Sequence, residues 1–309
     1  MCVYYSIMPQ IPSNMRKFFR WYVLLVLVIL SLALLSAILH EDRQGKLKFV
    51  VLDVGQGDSL FIESPTGTQV IVDGGPDRAL MKEISTVMPW YDRHIDMLIV
   101  TNPDQDHYSG FIPLLDKYSV DVVLEPGTFN KNEAYAVFEN KIKSKNIPRL
   151  IAIRGEIVDL GGGAFLEIFF PDRDISGLSP NDGSIVMRLA YGKTSVMLQG
   201  DSTANIENYL VGLDGKRLQS TILKAGHHGS KTSSIEEYVA AIDPQWTVIS
   251  SGTDNSYGHP HKETIETMDK LKIPTYDTCN NGSIIFESDG NQFVLKNKNP
   301  KEAIVGCKE

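Results

Sequence analysis

The sequence predicts an α+β protein: a four-layer αββα sandwich preceded by one N-terminal transmembrane helix. Three observations point there. A charge-free apolar run fills residues 21–39. Beyond it, short apolar runs of strand length recur, and segments of helical periodicity lie between some of them. Strands separated by both hairpin turns and helices suit two packed sheets with helices on their outer faces.

Residues 1–20 are basic, with Arg16, Lys17 and Arg20 and no acidic residue. Met15, just before that cluster, reads as an alternative start that would make residues 1–14 an extension. At 1.5 Å per residue, residues 21–39 reach across a hydrocarbon core of roughly 30 Å. Glu41, Asp42, Arg43 and Lys46 nearly cancel behind the run. The positive-inside rule therefore puts residues 1–20 in the cytoplasm and the remainder outside, as a single-pass anchor in the lipid bilayer. A cleaved signal sequence is the competing reading, with Ser36 and Ala37 as small residues near its end and a secreted product as its consequence. Its apolar core would be longer than the usual span of roughly 7–15 residues.

One large domain is expected over residues 46–298, followed by a mobile tail at 299–309; about 250 residues suffice for a substantial core. Strand-like runs occupy 47–52, 59–62, 69–72, 95–100, 120–124, 150–153, 165–170, 185–189, 195–198 and 221–224. Helical periodicity fits 132–145, 233–241 and 262–271. No internal repeat is present.

The chemistry concentrates in TNPDQDHYSG, residues 101–110, directly after an apolar run. Asn102, Asp104, Asp106 and His107 crowd oxygen and imidazole donors at a strand end, where a loop leaves a site open to substrate. Gly200–Asp201 and the HHGS of residues 227–230 follow later, each again after an apolar run. Alone, each stretch is weak, because Asp and His in Pro- or Gly-containing loops are commonly solvated turn residues. Their order and common placement support a metal-dependent hydrolase, with Asp201 bridging two ions about 3.5–4 Å apart that activate water. Asp106, His228 and His259 are the candidate catalytic groups.

These stretches form a collinear series with FVVLDVGQGDSLFI, IVDGG, NDGSIVMRL, VMLQGD, ILKAGHHGSKTS and YGHPHKET. The series resembles the metallo-β-lactamase fold, and within it the hydrolase-like domain of the DNA-uptake competence protein ComEC, over about residues 46–298. The resemblance implies a metal centre built from Asn102, Asp104, Asp106, His107, Asp201 and His227. It aligns residues 101–110 with the fold's HxHxDH motif, so Asn102 and Asp104 stand where that motif has histidines. One site is therefore expected from Asp106, His107, His227 and Asp201, and a weaker one from Asn102, Asp104 and Asp201. Oxygen donors make Mn²⁺ or Mg²⁺ credible beside Zn²⁺, and the expected cofactor is one or two divalent ions, Zn or Mn. The sequence does not divide ligand and supporting roles between His227 and His228. The third histidine of the pattern has no obvious equivalent, and Asn181 or Asp182 is nearest in order. Asp73 is expected to orient a ligand from outside the site, and Asn181 to support it. Ser230, Lys231 and Thr232 are read as exposed candidates for phosphate contact, and His259 and His261 as groups that could bind a substrate phosphate or shuttle a proton.

Composition limits the substrate reading. The net charge is −8, and the first 40 residues carry +3, which leaves −11 on the remainder. That is unlike a general nucleic-acid surface, although bound metal would attract a scissile phosphate locally. Cys2, Cys279 and Cys307 lack metal-ligand spacing, and the sequence does not say whether the last two pair. One span cannot form a DNA channel. The expected function is a membrane-anchored, extracytoplasmic metal-dependent hydrolase, a phosphodiesterase or nuclease. The alternatives are a non-hydrolytic binding or assembly module with a decayed metal site, for which Asn102 speaks, and an esterase acting on envelope phosphate esters.

Overall fold

The computed structural model describes residues 13–41, 45–253, 255–297, Lys301 and Cys307. Most of the 1–14 extension and all of the 299–309 tail except Lys301 and Cys307 lie outside the described residues. The chain divides into two units, Met1–Gln44 and Gly45–Glu309. In the first, α1 (Ser13–Glu41) is a single helix. Its stretch Phe18–Ser36 is 19 residues long, has a mean hydropathy of 2.4 and is unburied. By length and composition this helix can cross a bilayer.

The second unit contains two sheets. The first has eight strands in the order β15-β14-β1-β2-β3-β4-β5-β6 and the second seven, β13-β12-β11-β10-β9-β8-β7. The strands are β1 (Leu47–Val51), β2 (Leu60–Glu63), β3 (Gln69–Val72), β4 (His94–Ile99), β5 (Ser119–Glu125), β6 (Arg149–Ile151), β7 (Ile157–Gly161) and β8 (Ala164–Phe170). They continue with β9 (Val186–Tyr191), β10 (Thr194–Leu198), β11 (Ile222–Lys224), β12 (Trp246–Ile249), β13 (Thr275–Asp277), β14 (Ile284–Ser288) and β15 (Phe293–Leu295). The helices are α2 (Ala79–Val87), α3 (Gln105–Tyr108), α4 (Phe111–Leu114), α5 (Glu133–Ser144), α6 (Ala204–Asp214), α7 (Glu236–Ile242), α8 (Lys262–Leu271) and α9 (Thr278–Asn281).

Alternation along each strand decides the layers. Phe49, Val70, Val72, Met97 and Ile99 of the first sheet meet Leu166, Met187, Val196, Leu198 and Val248 of the second in the central core. The intervening Val50, Ile71 and Leu98 face outward and pack with Leu80 and Ile84 of α2 and Phe138 of α5. On the opposite side Met197 and Leu223 pack with Leu210 of α6, Val239 of α7 and Met268 of α8. The result is the expected αββα arrangement. Strands buried on both faces read as continuous apolar runs, which is why the sequence betrays them so plainly.

The elements that sequence periodicity leaves unassigned are mostly short or weakly patterned, among them α2, α6, β7, β12 and β14. Within the assigned ones, α7 begins at Glu236 rather than at 233. Ser233 and Ser234 are engaged by the Glu207 carboxylate instead, through Ser233 Oγ at 3.0 Å and the Ser234 N–H at 2.6 Å. Cys279 and Cys307 form a disulfide across 28 residues.

Strands β3, β4 and β5 are parallel, as are β10, β11, β12 and β13. Their carboxyl ends carry Asp73, residues 101–107, Asp201 and residues 225–229, so one rim of the sandwich collects the sequence-predicted chemistry. The carboxyl ends of parallel strands are where α/β architectures place their ligands.

Candidate metal centre

The chain leaves β4 and winds into the one-turn α3, which carries Asp106 and His107 side by side. His107 is fully buried. Its Nδ1 lies 2.9 Å from Asp73 Oδ2, and Asp73 is itself held by the Thr101 N–H at 2.7 Å and the Thr101 hydroxyl at 2.6 Å. This aims His107 Nε2 the other way, to 3.2 Å from Asp201 Oδ2 and 4.0 Å from Asp106 Oδ1.

His228 approaches from the second sheet. It sits in the turn after β11, where both His227 and His228 have positive φ, 48° and 55°. Non-glycine residues in this region are strained and persist only where their surroundings hold them. Gly226 is required at the start of the turn, because a Cβ there would lie 2.2 Å from Ser233 Oγ and 2.3 Å from Gln199 Nε2. The turn is tied to the Asp201 strand by His227 N–H to the Gly200 carbonyl, 3.0 Å. The buried His228 places Nε2 3.3 Å from Asp106 Oδ2 and 3.6 Å from Asp201 Oδ1. Its Nδ1 lies 3.2 Å from Asp58 Oδ1. His227 is a quarter exposed; its Nε2 is 3.6 Å from Asp201 Oδ2 and its Nδ1 3.1 Å from Thr232 Oγ1.

Asp106, His107, Asp201 and His228 thus converge, and ligand atoms of Asp106, His107 and His228 lie within 4.8 Å of one another. Sequence alone places His227 in the expected ligand set and His228 among the candidate catalytic groups without dividing their roles; the geometry puts His228 in the buried cluster and His227 at its rim. Three buried atoms pointing into the cluster, His107 Nε2, His228 Nε2 and Asp201 Oδ1, make no hydrogen bond. Buried polar atoms are ordinarily satisfied, so this is the signature of a missing common partner. The protonation pattern agrees. Burial opposes a charge on His228, yet the Asp201 and Asp58 carboxylates push its pKa up to about 10. Burial likewise opposes the His107 charge, and Asp201, Asp73 and Asp106 raise its pKa well above the ordinary value. Burial disfavours the Asp201 carboxylate, which the His107 and His228 charges nevertheless hold well below the usual range. A pocket that stabilises two protons on imidazoles among carboxylates fits a divalent cation in their place.

The other candidate ligands form a different structure. Asn102 Oδ1 accepts the Asp104 N–H at 2.9 Å. Asn102 Nδ2 donates to Asn181 Oδ1 at 2.8 Å and to Ser184 Oγ at 3.3 Å. Asp104 Oδ1 accepts from Asn130 Nδ2 at 3.2 Å, and burial raises its pKa. Both polar atoms of the Asn102 side chain and one carboxylate oxygen of Asp104 thus have protein partners.

The segment 255–261 closes over the turn, with His261 N–H on the Gly229 carbonyl at 2.9 Å. His259 stands with its ring centroid 5.6 Å from that of His227 and 6.1 Å from that of His228. Gln56 Nε2 lies 3.3 Å from its Nδ1. Burial, followed by the charges of His228, His227 and His261, pulls its pKa down to about 4. His261 Nδ1 accepts the Lys231 N–H at 3.2 Å, and the Lys231 side chain is exposed. Ser230, by contrast, is not the exposed group expected of a phosphate contact. It is buried, and its hydroxyl is spent on Thr232 N–H and Thr232 Oγ1 at 3.3 and 3.0 Å.

Two further residues reach the site: Asp58, in a segment that sequence brings near it only by backbone, and Lys224, to which no motif assigns a role. Their signals are a carboxylate directly after Gly55-Gln56-Gly57 and a lysine ending an apolar run. Lys224 Nζ hydrogen-bonds Asp58 Oδ2 at 2.9 Å and the Ala225 carbonyl at 3.0 Å.

Fold and site together define a metallohydrolase-type centre. The chain matches the metallo-beta-lactamase superfamily over residues 52–252 and belongs to it. It is 26% identical over 270 residues to ComE operon protein 3 of Bacillus subtilis, covering 80% of this chain and 33% of that protein. It is 28% identical over 238 residues to Recombination protein 2 of Haemophilus influenzae, covering 75% of this chain and 28% of that one. The chain therefore spans about a third of the length of these curated relatives. Among solved structures it is similar in fold to the metallo-beta-lactamase fold protein YhfI from Bacillus subtilis, with a TM-score of 0.52 and 9% identity over 79% of this chain and all of that one.

Proposed function

We propose that the chain is a membrane-anchored, extracytoplasmic metal-dependent phosphodiesterase that acts on a nucleic-acid backbone. The observation that carries the hydrolytic reading is the set of orphaned, buried ligand atoms on His107, His228 and Asp201, facing one another beside Asp106. Asp106, His107, Asp201 and His228 would hold one divalent ion, and two imidazoles with two carboxylates suit Zn²⁺ or Mn²⁺. When bound, that ion supplies Lewis acidity and acidifies a water.

The protein's own part is positioning and proton handling. Asp73 keeps the Nε2 lone pair of His107 inward. His259 is neutral at pH 7; with Nδ1 facing the Gln56 amide as acceptor, it carries its proton on Nε2 and can donate to charge developing on a phosphoryl oxygen. His227 at the rim is within reach of a leaving oxygen, and Lys231 offers an exposed cation for a flanking phosphate. The nucleic-acid substrate rests on the names of two relatives, Recombination protein 2 of Haemophilus influenzae and Competence protein ComA of Neisseria gonorrhoeae. The extracytoplasmic setting draws on Arg16, Lys17 and Arg20 ahead of the apolar stretch and on the Cys279–Cys307 disulfide, which suits an oxidising compartment. The closed hydrogen-bond network at Asn102 favours the binding-module alternative in one respect, since it removes half of a two-metal site.

The test is metal content by mass spectrometry on the detergent-solubilised full chain, followed by hydrolysis of bis(p-nitrophenyl) phosphate and of single-stranded and duplex oligonucleotides. About one equivalent of metal, with turnover lost on chelation and in Asp106→Ala, supports the reading. Metal without turnover of any diester leaves a binding module, and turnover of monoesters alone points to an esterase. No metal after soaking in Zn²⁺ or Mn²⁺ sinks hydrolysis.

A further inference from the structure

His228 reaches the cluster from a strained turn. Its backbone conformation does not by itself aim Nε2 at Asp106 and Asp201, so something must hold the ring. The group behind it is Asp58, 3.2 Å from Nδ1 and 2% exposed. Here it is matched by Lys224, whose Nζ lies 2.7 Å from the same Oδ1, hydrogen-bonds Oδ2 at 2.9 Å and adds a bond to the Ala225 carbonyl. Lys224 is 1% exposed and points toward Asp58 from the end of β11, three residues before His227.

The loop that delivers Asp58 is also fixed against the other ligands. The Asp58 N–H bonds the Asp106 carbonyl at 3.3 Å and the Asp58 carbonyl accepts from Gly75 at 2.8 Å. Gly57 is required there, because a Cβ would sit 2.5 Å from the Asp106 carbonyl oxygen. One loop therefore touches Asp106 through backbone and His228 through side chain.

We propose that Asp58 and Lys224 act as a joined pair of positioning residues: Lys224 fixes the Asp58 carboxylate in place, and Asp58 holds His228 with Nε2 directed at the metal position. This rests on the metal-centre reading above. A buried ion pair is weak evidence of a stabilising role, because well-packed neutral residues of similar shape often replace one without loss of stability. That fact separates positioning from stability.

The experiment compares parent, Asp58→Asn, Lys224→Met and the double variant Asp58→Asn/Lys224→Met as full chains in detergent. Each is followed by thermal midpoint and by Zn²⁺ titration against a chromophoric competitor. Each single variant leaves one buried charge alone and lowers the midpoint. The double variant regains most of the midpoint, yet binds Zn²⁺ about 10- to 100-fold more weakly, the range that outer partners of metal-bound histidines contribute. Asp58→Glu, which keeps the charge pair but moves the carboxylate by one methylene, also binds more weakly and covers the case in which the double variant does not fold. Parent-like Zn²⁺ affinity in a folded double variant or in Asp58→Glu overturns the proposal while leaving the metal centre intact. A parent that takes up no Zn²⁺ fails at the earlier step and removes both.

Discussion

The two halves of the rim use similar side chains to opposite ends. In one, Asp106, His107, Asp201 and His228 face each other with atoms left unbonded, and Asp73 and Asp58 brace the imidazoles from behind. In the other, Asn102, Asp104, Asn181, Ser184 and Asn130 hydrogen-bond each other. The first set signals a metal because its buried ligand atoms crowd together at ion-pair distance without making a hydrogen bond. An asparagine replacing an imidazole closes a site because its amide both gives and accepts, so it can be satisfied without an ion.

Four measurements test that contrast. The largest effect is expected from removing a converging group: Asp106→Ala or His228→Ala should weaken Zn²⁺ binding by more than about 100-fold, beyond what an outer partner supplies. Parent-like affinity in either would remove the distinction between the halves.

Next is Asp73→Asn, which loses the carboxylate behind His107 and should cost about 10- to 100-fold in affinity with the metal stoichiometry unchanged.

A third effect concerns pH in the chelated protein. His228 moves from an ordinary value of 6.5 up to about 10 on folding. Its contribution is fully present below pH 6.5 and is lost as pH rises through about 10, with a limiting slope of roughly 1.4 kcal/mol per pH unit. Denaturant unfolding of the metal-free chain should therefore show falling stability across that window, and His228→Ala should flatten it. A flat parent profile would contradict the paired carboxylate–imidazole picture.

The smallest effect belongs to the closed half. Asn102→Ala should lower stability by about 1–2 kcal/mol, through partners left unsatisfied, and change Zn²⁺ affinity by less than about threefold. Asn102→His should not create a second equivalent of metal, because Asp104 keeps its Asn130 bond. A second equivalent would mean that the network is an easily displaced substitute for an ion.

Much of the fold was legible because burial on both faces writes itself into sequence as apolar runs; Phe49–Leu52, Val70–Val72, Met97–Val100 and Val196–Leu198 are of this kind. The pattern at 262–271 corresponds to α8, whose Thr264, Ile265 and Met268 recur at helical spacing on the buried face. What escaped was short or mixed. In β7 three of the five residues are exposed or half-buried apolar or acidic groups, at Ile157, Val158 and Asp159, and α6 buries Glu207 and Asp214 beside Leu210, so neither shows a clean apolar stripe. Within the site, Asp106, His107 and Asp201 stood out by motif. The order of the two histidines did not, because it depends on two consecutive left-handed residues that turn His228 inward and His227 toward solvent. Ser230 was misjudged for a related reason: a hydroxyl in a Gly-rich turn looks free in sequence, whereas here it bonds to a residue two positions on.

By itself the sequence determined which segments must be buried, where an apolar helix precedes the sandwich, and which loops concentrate carboxylates and imidazoles, since these depend on composition and local period. Tertiary structure alone decided which of those groups share a pocket. Asp58 and Lys224 are 166 residues apart and Asn102 and Asn181 are 79 apart. Whether a polar atom finds a partner or is left facing a cation is set by strands from two sheets meeting at one rim, a long-range geometry that no local pattern encodes.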